Sequence, residues 1–441
     1  MIKVTNRIKG IIERDRKVFL TTTRGSIPFV ASSGDGDFAY DIEGNRLIDF
    51  SSFISVYNLG VNSTDDARRA IKSQVDRLMH AAFTDYYSEL PVSFGEDLLR
   101  MFPKGFGRIF LSNSGTEANE AAIKFSRIFT KRPYIISFYN AFHGRTMGSL
   151  GLTAAKSVHR EHFGPFSGVI HAPYPYPYRC PFSHDHAECG MDYIEYLKDY
   201  VLSKEVSPEE VAAIFLEPVQ GEGGYIVPPQ NFVRELRKLA TEHGILLVSD
   251  EVQAGYMRAG KFLALDNFGV AADIYTMAKS LGAGLPFGAT VTRSSLGDIP
   301  AGAHANTFGG NLAAVAGAHA QLKYLEKNRQ QLERQVSDKG RAILRRLMKM
   351  KDDYDIVGDV RGLGMMIGVE LVKSKRGKEP AAKEQEQVIM DSFMNGLLLL
   401  PAGQSTIRII PPITVSRENL EKGLDIFEKA VAKADKSLRH K

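Results

Sequence analysis

The sequence predicts an α/β protein: a mostly parallel central sheet with helices on both faces, and a smaller α+β portion drawn from the two chain ends. Two observations lead there. Between residues 63 and 312, short apolar runs end in a small or polar cluster and pass into a helical pattern. Examples are "RIFLSNSGTEANEAAIKFSR", "PYIISFYNAFHGRT", "AAIFLEPVQGEGG", "GILLVSDEVQAG" and "DIYTMAKSLGAG". Strands alternating with helices argue for a parallel sheet covered on both sides. In addition, each chemically conspicuous residue of this region stands just after an apolar run, and ligands of such sheets sit outside the carboxyl ends of the strands.

The elements fall into three regions. Residues 1–62 open with a charged, helix-like stretch and continue into "FAYDIEGNRLIDF". There, alternating apolar residues flank Glu43-Gly44-Asn45, a hairpin signal. Residues 63–312 form the large sheet domain. Residues 313–441 begin with long amphipathic helices, continue into "IVGDVRGLGMMIGVEL" and "TIRIIPPITV" as strands, and close with a helix. "GLLLL" near residue 398 is short and reads as a buried strand. The first and third regions together make the smaller domain.

Composition narrows the functional classes. The 441 residues are 44% hydrophobic, enough for a substantial core, and 40 glycines suit a backbone that approaches a ligand closely. A formal net charge of +5, with basic and acidic residues intermixed, gives no nucleic-acid or membrane patch. No run reaches the roughly 18 apolar residues of a membrane span, and the N-terminus shows no secretory pattern. With two cysteines there is no disulfide framework, and a cytoplasmic location is expected.

Three positions carry the chemistry. Ser114-Gly115-Thr116 follow the run "RIFL" and open a helix, where backbone N–H groups and hydroxyls can cradle a phosphate; an ordinary N-cap explains the same residues. Asp250 ends a strongly apolar strand, so its partly desolvated carboxylate needs a cationic partner, such as a protonated pyridine nitrogen, or else caps a following helix. Lys279 likewise ends an apolar strand before a glycine-rich turn. Desolvation there would lower its pKa and make the amine a nucleophile, although a surface lysine fits the local sequence too. A phosphate cradle, a strand-end Asp and a strand-end Lys, in that order in one sheet, are the parts that pyridoxal-phosphate (PLP) catalysis requires.

With these motifs the chain resembles the class III (ω-amino) aminotransferases of PLP fold type I, whose large domain has a seven-stranded sheet. The resemblance covers nearly the whole chain: "NSGTEANEAAIK", "FHGRT", "EPVQGEGG", "DEVQAGYMRAGKF", "AKSLGAGLPFGA", "TFGGN", "DVRGLGMMIGVEL" and "RIIPP" match the family's blocks in order. It implies that Lys279 carries PLP as a Schiff base and shuttles the substrate proton, that Asp250 pairs with the pyridine nitrogen, and that Gln253 approaches the ring's phenolic oxygen. Phe142 would stack on the ring, with His143 and Glu217 beside it. Ser114, Gly115 and Thr116 would hold the phosphate, and Thr307 would reach the phosphate of a neighbouring subunit. A homodimer with shared active sites is therefore expected, and pairing into a tetramer stays open.

The same resemblance suggests the substrates. Arg408 resembles the residue that takes a substrate carboxylate, and Glu222 its switchable partner, covering Arg408 when an ω-amine binds. Arg145 resembles the arginine that holds a distal carboxylate in 4-aminobutyrate aminotransferases; a salt bridge at a helix start is the plainer explanation. The implied reaction moves an amino group from an ω-amino donor to 2-oxoglutarate. "PYPYPYR" is similar to an archaeal-type branch that also holds amino-acid racemases and epimerases, so racemisation is the alternative. Racemases of that branch have Gln in place of the "HGRT" arginine, and Arg145 tilts toward transfer.

Three departures from the family stand out. Met257 occupies a usual glycine position, suggesting a changed wall or a less strained turn. "FSSFISVYNLGVNSTDD" lacks the family's Gly-His-x-His-Pro ending, which bears on the substrate pocket. Cys180, His184, His186 and Cys189 form a C-x3-H-x-H-x2-C pattern whose spacings do not fit common zinc sites. A plain loop or a Cys180–Cys189 contact is expected there, and no metal.

Overall fold

Seven strands form the central sheet of the computed structural model, which describes residues 2–22, 27–182 and 189–439. In chain order they are β1 (Phe106–Ser112), β2 (Tyr134–Phe138), β3 (Val169–Ala172), β4 (Val211–Leu216), β5 (Leu246–Asp250), β6 (Ile274–Met277) and β7 (Gly288–Arg293). Their order across the sheet is β1-β7-β6-β5-β4-β2-β3. All run parallel except β7, which is antiparallel to both its neighbours, Ala289 pairing with Met277 and with Leu111. Every residue of β4 and β5 is buried. This is why they read as unbroken apolar runs rather than as alternating ones.

The smaller part draws on both chain ends. Ala31–Asp35, Phe38–Asp41, Arg46–Asp49 and Leu397–Leu398 share a sheet, in which the C-terminal Leu397 pairs parallel with Ile48. The expected hairpin is present, with Asp41 closing its turn: Oδ1 accepts from the amides of Glu43 and Asn45, both at 2.9 Å. A third sheet holds Val357–Leu363, Met366–Leu371, Leu400–Ala402 and Thr406–Ile409. "GLLLL" is thus divided between two sheets. One continuous helix, Leu312–Asp353, replaces the several helices expected there.

Local sequence and local structure part company in two places. After β5 and β6 the chain enters turns and a short 3-10 segment (Lys279–Gly282) rather than regular helices. And residues 52–55 (Ser-Phe-Ile-Ser) are wound left-handed, with φ of 43°, 46°, 64° and 61°. For L-residues this handedness costs about 1–2 kcal/mol each, so tertiary contacts must impose it. The Ser52 hydroxyl donates to the Ile410 carbonyl at 2.6 Å and accepts from Arg258 at 3.1 Å. Arg258 is fully buried and also donates to Asn58 Oδ1 and to the carbonyls of Met365 and Pro411. Met257, expected to ease its turn, retains φ of 70° beside Tyr256 at 56°. The strain there is kept.

The Pro-rich loop packs onto the C-terminal part. Tyr176 and Arg179 both bind the buried carboxylate of Glu370. The thiol of Cys189 donates to Cys180 Sγ at 3.3 Å, the expected contact. His184 and His186 lie outside the described residues, and among the described ones no group of His, Cys, Asp or Glu could hold a metal.

Candidate active site

The carboxyl ends of the parallel strands meet the start of β7 at one edge, and a cavity of about 490 Å³ opens there. Ser114, Gly115, Thr116, Phe142, His143, Arg145, Glu217, Asp250, Gln253 and Lys279 all line it. These come from five separate strand ends, and only the sheet's winding brings them together.

The turn after β1 caps its helix and lines the cavity. Ser114 caps the helix Gly115–Thr130, its Oγ accepting from the Glu117 amide at 3.3 Å, while the Glu117 carboxylate reaches back to the Asn113 amide at 2.7 Å. The helix's next open amides, Gly115 and Thr116, have no intrahelical acceptor and sit on the cavity wall. Thr116 Oγ1 adds a hydroxyl cluster, 2.8 Å from Thr146 Oγ1 and 2.6 Å from Ser149 Oγ. A side chain on Gly115 would bring its Cβ to 2.7 Å from Val252.

Asp250 is buried at the end of β5 and caps no helix. Its Oδ2 accepts from Asn119 Nδ2 and from His143 Nδ1, both at 2.8 Å, and its Oδ1 from the Val252 amide at 3.0 Å. No lysine or arginine bridges it among the described residues, so a carboxylate in the wall keeps acceptor capacity for a cation in the cavity. Burial pushes the His143 imidazole down, but the hydrogen bond and charge of Asp250 outweigh this and leave it above its usual value.

Lys279 follows β6 with φ of 49°, an uncommon conformation for a non-glycine residue and one found at functional sites. Burial lowers its pKa; Glu222 raises it, and Arg408 lowers it again. The net effect is a more readily neutral amine. Around it, Glu217 orients backbone: its carboxylate accepts from the amides of Phe142 at 2.8 Å and Gly221 at 2.9 Å. Burial drives the Glu217 carboxyl well above the usual glutamate range, against the pull of His143. Gln253 is held by Tyr225, whose hydroxyl donates to its Oε1 at 2.8 Å, leaving the amide nitrogen for the cavity.

Arg408 and Glu222 meet beside this cavity in a closed pair. Arg408 is buried, its Nε donates to the Pro401 carbonyl at 2.8 Å, and its Nη1 is buried with no partner. Burial opposes ionisation of Glu222, yet the Arg408 guanidinium holds its carboxyl below the ordinary range. Arg145 is exposed on the rim, its guanidinium 5.4 Å from the centre of the Phe142 ring. Thr307 is exposed and does not line its own chain's cavity. A second cleft of about 790 Å³ adjoins Gly223 and carries Lys156, Arg179 and Glu370.

Sequence reasoning missed Asn119, Tyr225 and Lys156. Asn119 stands four residues after Gly115, on the helix face below the cradle turn, but nothing local marks it. Tyr225 has no local signal either, since it acts only through Gln253 and, at 5.7 Å, beneath Arg408. Lys156 declares itself only by its charge, which acts on Glu222 and His159.

The donor set fits PLP. Open helix amides and hydroxyls suit a phosphate, a buried carboxylate suits a ring-nitrogen cation, and a desolvated lysine lines the same cavity. Comparison with known proteins agrees. The family model for class-III aminotransferases matches residues 20–431. A leucine/methionine racemase from Thermococcus litoralis is 39% identical over 97% of this chain and 96% of its own. A 4-aminobutyrate aminotransferase from Mycobacterium leprae is 36% identical over 92% of this chain and 91% of its own. Among solved structures, the taurine:2-oxoglutarate aminotransferase of Bifidobacterium kashiwanohense, in complex with PLP and glutamate, superposes with a TM-score of 0.90 at 27% identity. It covers 99% of this chain and all (100%) of its own.

Proposed function

Because this chain belongs to the class-III aminotransferases, a family that works with PLP, we propose that it moves an amino group from an ω-amino donor of the 4-aminobutyrate kind to 2-oxoglutarate. The observation that carries this reading is the pair Arg408–Glu222, closed beside Lys279, with a second arginine, Arg145, on the rim. An ω-amine has no carboxylate next to its reacting carbon, and for it Glu222 covers Arg408. A 2-oxo acid brings that carboxylate; Glu222 swings away and Arg408 takes it through two N–H groups, Nη1 already being without a partner. Arg145 answers the distal carboxylate of either molecule.

PLP, when bound, supplies the electron sink that lets a proton leave the carbon bearing the amine. Ser114, Gly115 and Thr116 would hold its phosphate, Asp250 would stabilise the charge on its ring nitrogen, and Gln253 would meet the phenolic oxygen. Phe142 would cover one face. Lys279 would anchor the cofactor and, as a neutral amine, would take the substrate proton and return it; its burial favours the neutral form that both roles need.

Racemisation is the second reading, favoured by the 39% identity to the leucine/methionine racemase. One experiment separates the two. The purified holoenzyme is mixed with 4-aminobutyrate, or with glutamate, in the absence of a 2-oxo acid. Amine transfer bleaches the visible band of the lysine-bound cofactor and leaves a carbonyl product. A band that persists while L-leucine or L-methionine loses optical rotation decides for racemisation. A Lys279→Ala protein with an unchanged band and unchanged turnover would overturn both.

A further inference from the structure

We propose that Asn119 is a positioning residue for the cofactor: a non-titrating donor, held at its Oδ1 by the Thr276 hydroxyl, that fixes how the Asp250 carboxylate faces the ring nitrogen. This rests on the role given to Asp250 above. Asn119 is 1% exposed and its amide is fully used. Nδ2 donates to Asp250 Oδ2 at 2.8 Å and to the His143 carbonyl at 2.7 Å, and Oδ1 accepts from the Thr276 hydroxyl at 2.8 Å. A flipped amide would set Oδ1 against the Asp250 carboxylate and the His143 carbonyl, both acceptors, so the NH2 group must face them while the Thr276 hydroxyl donates to Oδ1. Thr276 sits in β6 directly opposite Asp250, in register with it. One asparagine therefore ties together the helix that opens the phosphate cradle, the Phe142–His143 loop and the two strands that end in Asp250 and lead to Lys279.

Asp250 Oδ2 receives a second hydrogen bond from His143, but the two donors are not equivalent. The charge of His143 depends on pH and on Asp250 and Glu217, whereas Asn119 donates in the same way at every pH. With Oδ2 saturated by Asn119 and His143, the carboxylate is left to meet a cation through Oδ1, which shares only the Val252 amide. The charged groups facing this carboxylate are His143, Glu217 and Lys279; none of them holds its orientation as Asn119 does.

The test compares Asn119→Asp, Thr276→Val and Asp250→Asn with the unaltered holoenzyme. Two quantities are read: retention of PLP on dialysis, and the pH midpoint of the visible band. Asn119→Asp keeps the shape but turns the donor into a second acceptor against Asp250; PLP retention should weaken by about ten- to a hundredfold, the range for a lost hydrogen bond to a charged group, and the midpoint should move. Thr276→Val removes only the hydroxyl that holds Oδ1 and should move both quantities the same way, by less. If Asp250→Asn leaves both unchanged, the reading of Asp250 itself fails. If Asp250→Asn moves them while folded Asn119→Asp and Thr276→Val match the unaltered protein, the role of Asn119 is refuted. Should Asn119→Asp not fold, Thr276→Val decides alone: a moved midpoint supports the role and an unmoved one overturns it.

Discussion

Replacing Glu222 by Gln isolates the switch assigned to Arg408, because it keeps the shape of the side chain and removes only its charge. In the present state Glu222 accepts a charge-assisted hydrogen bond from a guanidinium that is 4% exposed. Such a bond contributes about 1.5–3 kcal/mol against about 0.5–1.5 for a neutral one. The change therefore loosens the closed pair by about 1–2 kcal/mol, or roughly 5- to 30-fold. The two half-reactions must then move in opposite directions. 2-Oxoglutarate no longer competes with Glu222 for Arg408, and its apparent affinity rises by that factor. 4-Aminobutyrate loses the group that covers the guanidinium, and its kcat/KM falls by a similar factor. Stopped-flow absorbance of each half-reaction measures both. If the two rates fall together, or neither changes, Glu222 is not a switch; general damage to the site cannot produce opposite signs.

Other consequences follow from the same geometry. Arg145→Gln should raise the KM for 2-oxoglutarate by about tenfold, as expected for loss of one hydrogen bond to a charged group, while barely changing that for a monocarboxylic 2-oxo acid; steady-state kinetics with pyruvate alongside make the comparison. Burial pushes the Glu251 carboxyl up to about 7, although it accepts from the amides of Ala264 and Leu265. The folded state thus binds this proton more tightly than the unfolded one, so the associated stability is present below the unfolded value and is lost as pH rises through about 7. Glu251→Gln should flatten the fall of the apoenzyme's Tm between pH 5 and 8, which calorimetry reads. The Cys189 thiol is pushed up to about 12 by burial and by Cys180. Iodoacetamide at pH 8 should leave it unmodified in the native protein and label it after unfolding, as peptide mass mapping will show.

The central sheet was legible because most of its strands contain apolar runs and its chemical residues follow them directly. Lys279, Asp250 and the Ser114–Thr116 turn could be read as strand-end groups from that pattern; their joint role came from their order and from the family resemblance. The antiparallel β7 was not legible: "GATVTR" lacks a long apolar run, and its direction is set by partners on both sides. Nor could the sequence show that Asp250 leads into turns, since the helical pattern after it is overridden by packing around the cavity. Asn119 escaped for a related reason. An asparagine on a helix face is unremarkable until the fold brings Asp250, 131 positions further on, to 2.8 Å from it.

The left-handed turn at residues 52–55 bears on when the site can come into being. Nothing in Ser-Phe-Ile-Ser favours that handedness, and its supports are Arg258 and the Ile410 carbonyl, far along the chain. Val56, which the turn delivers to the cavity wall, therefore waits for them. A growing chain makes this piece of the wall well before the groups that shape it. The enclosure around the cofactor thus waits for segments 206 and 358 positions further on.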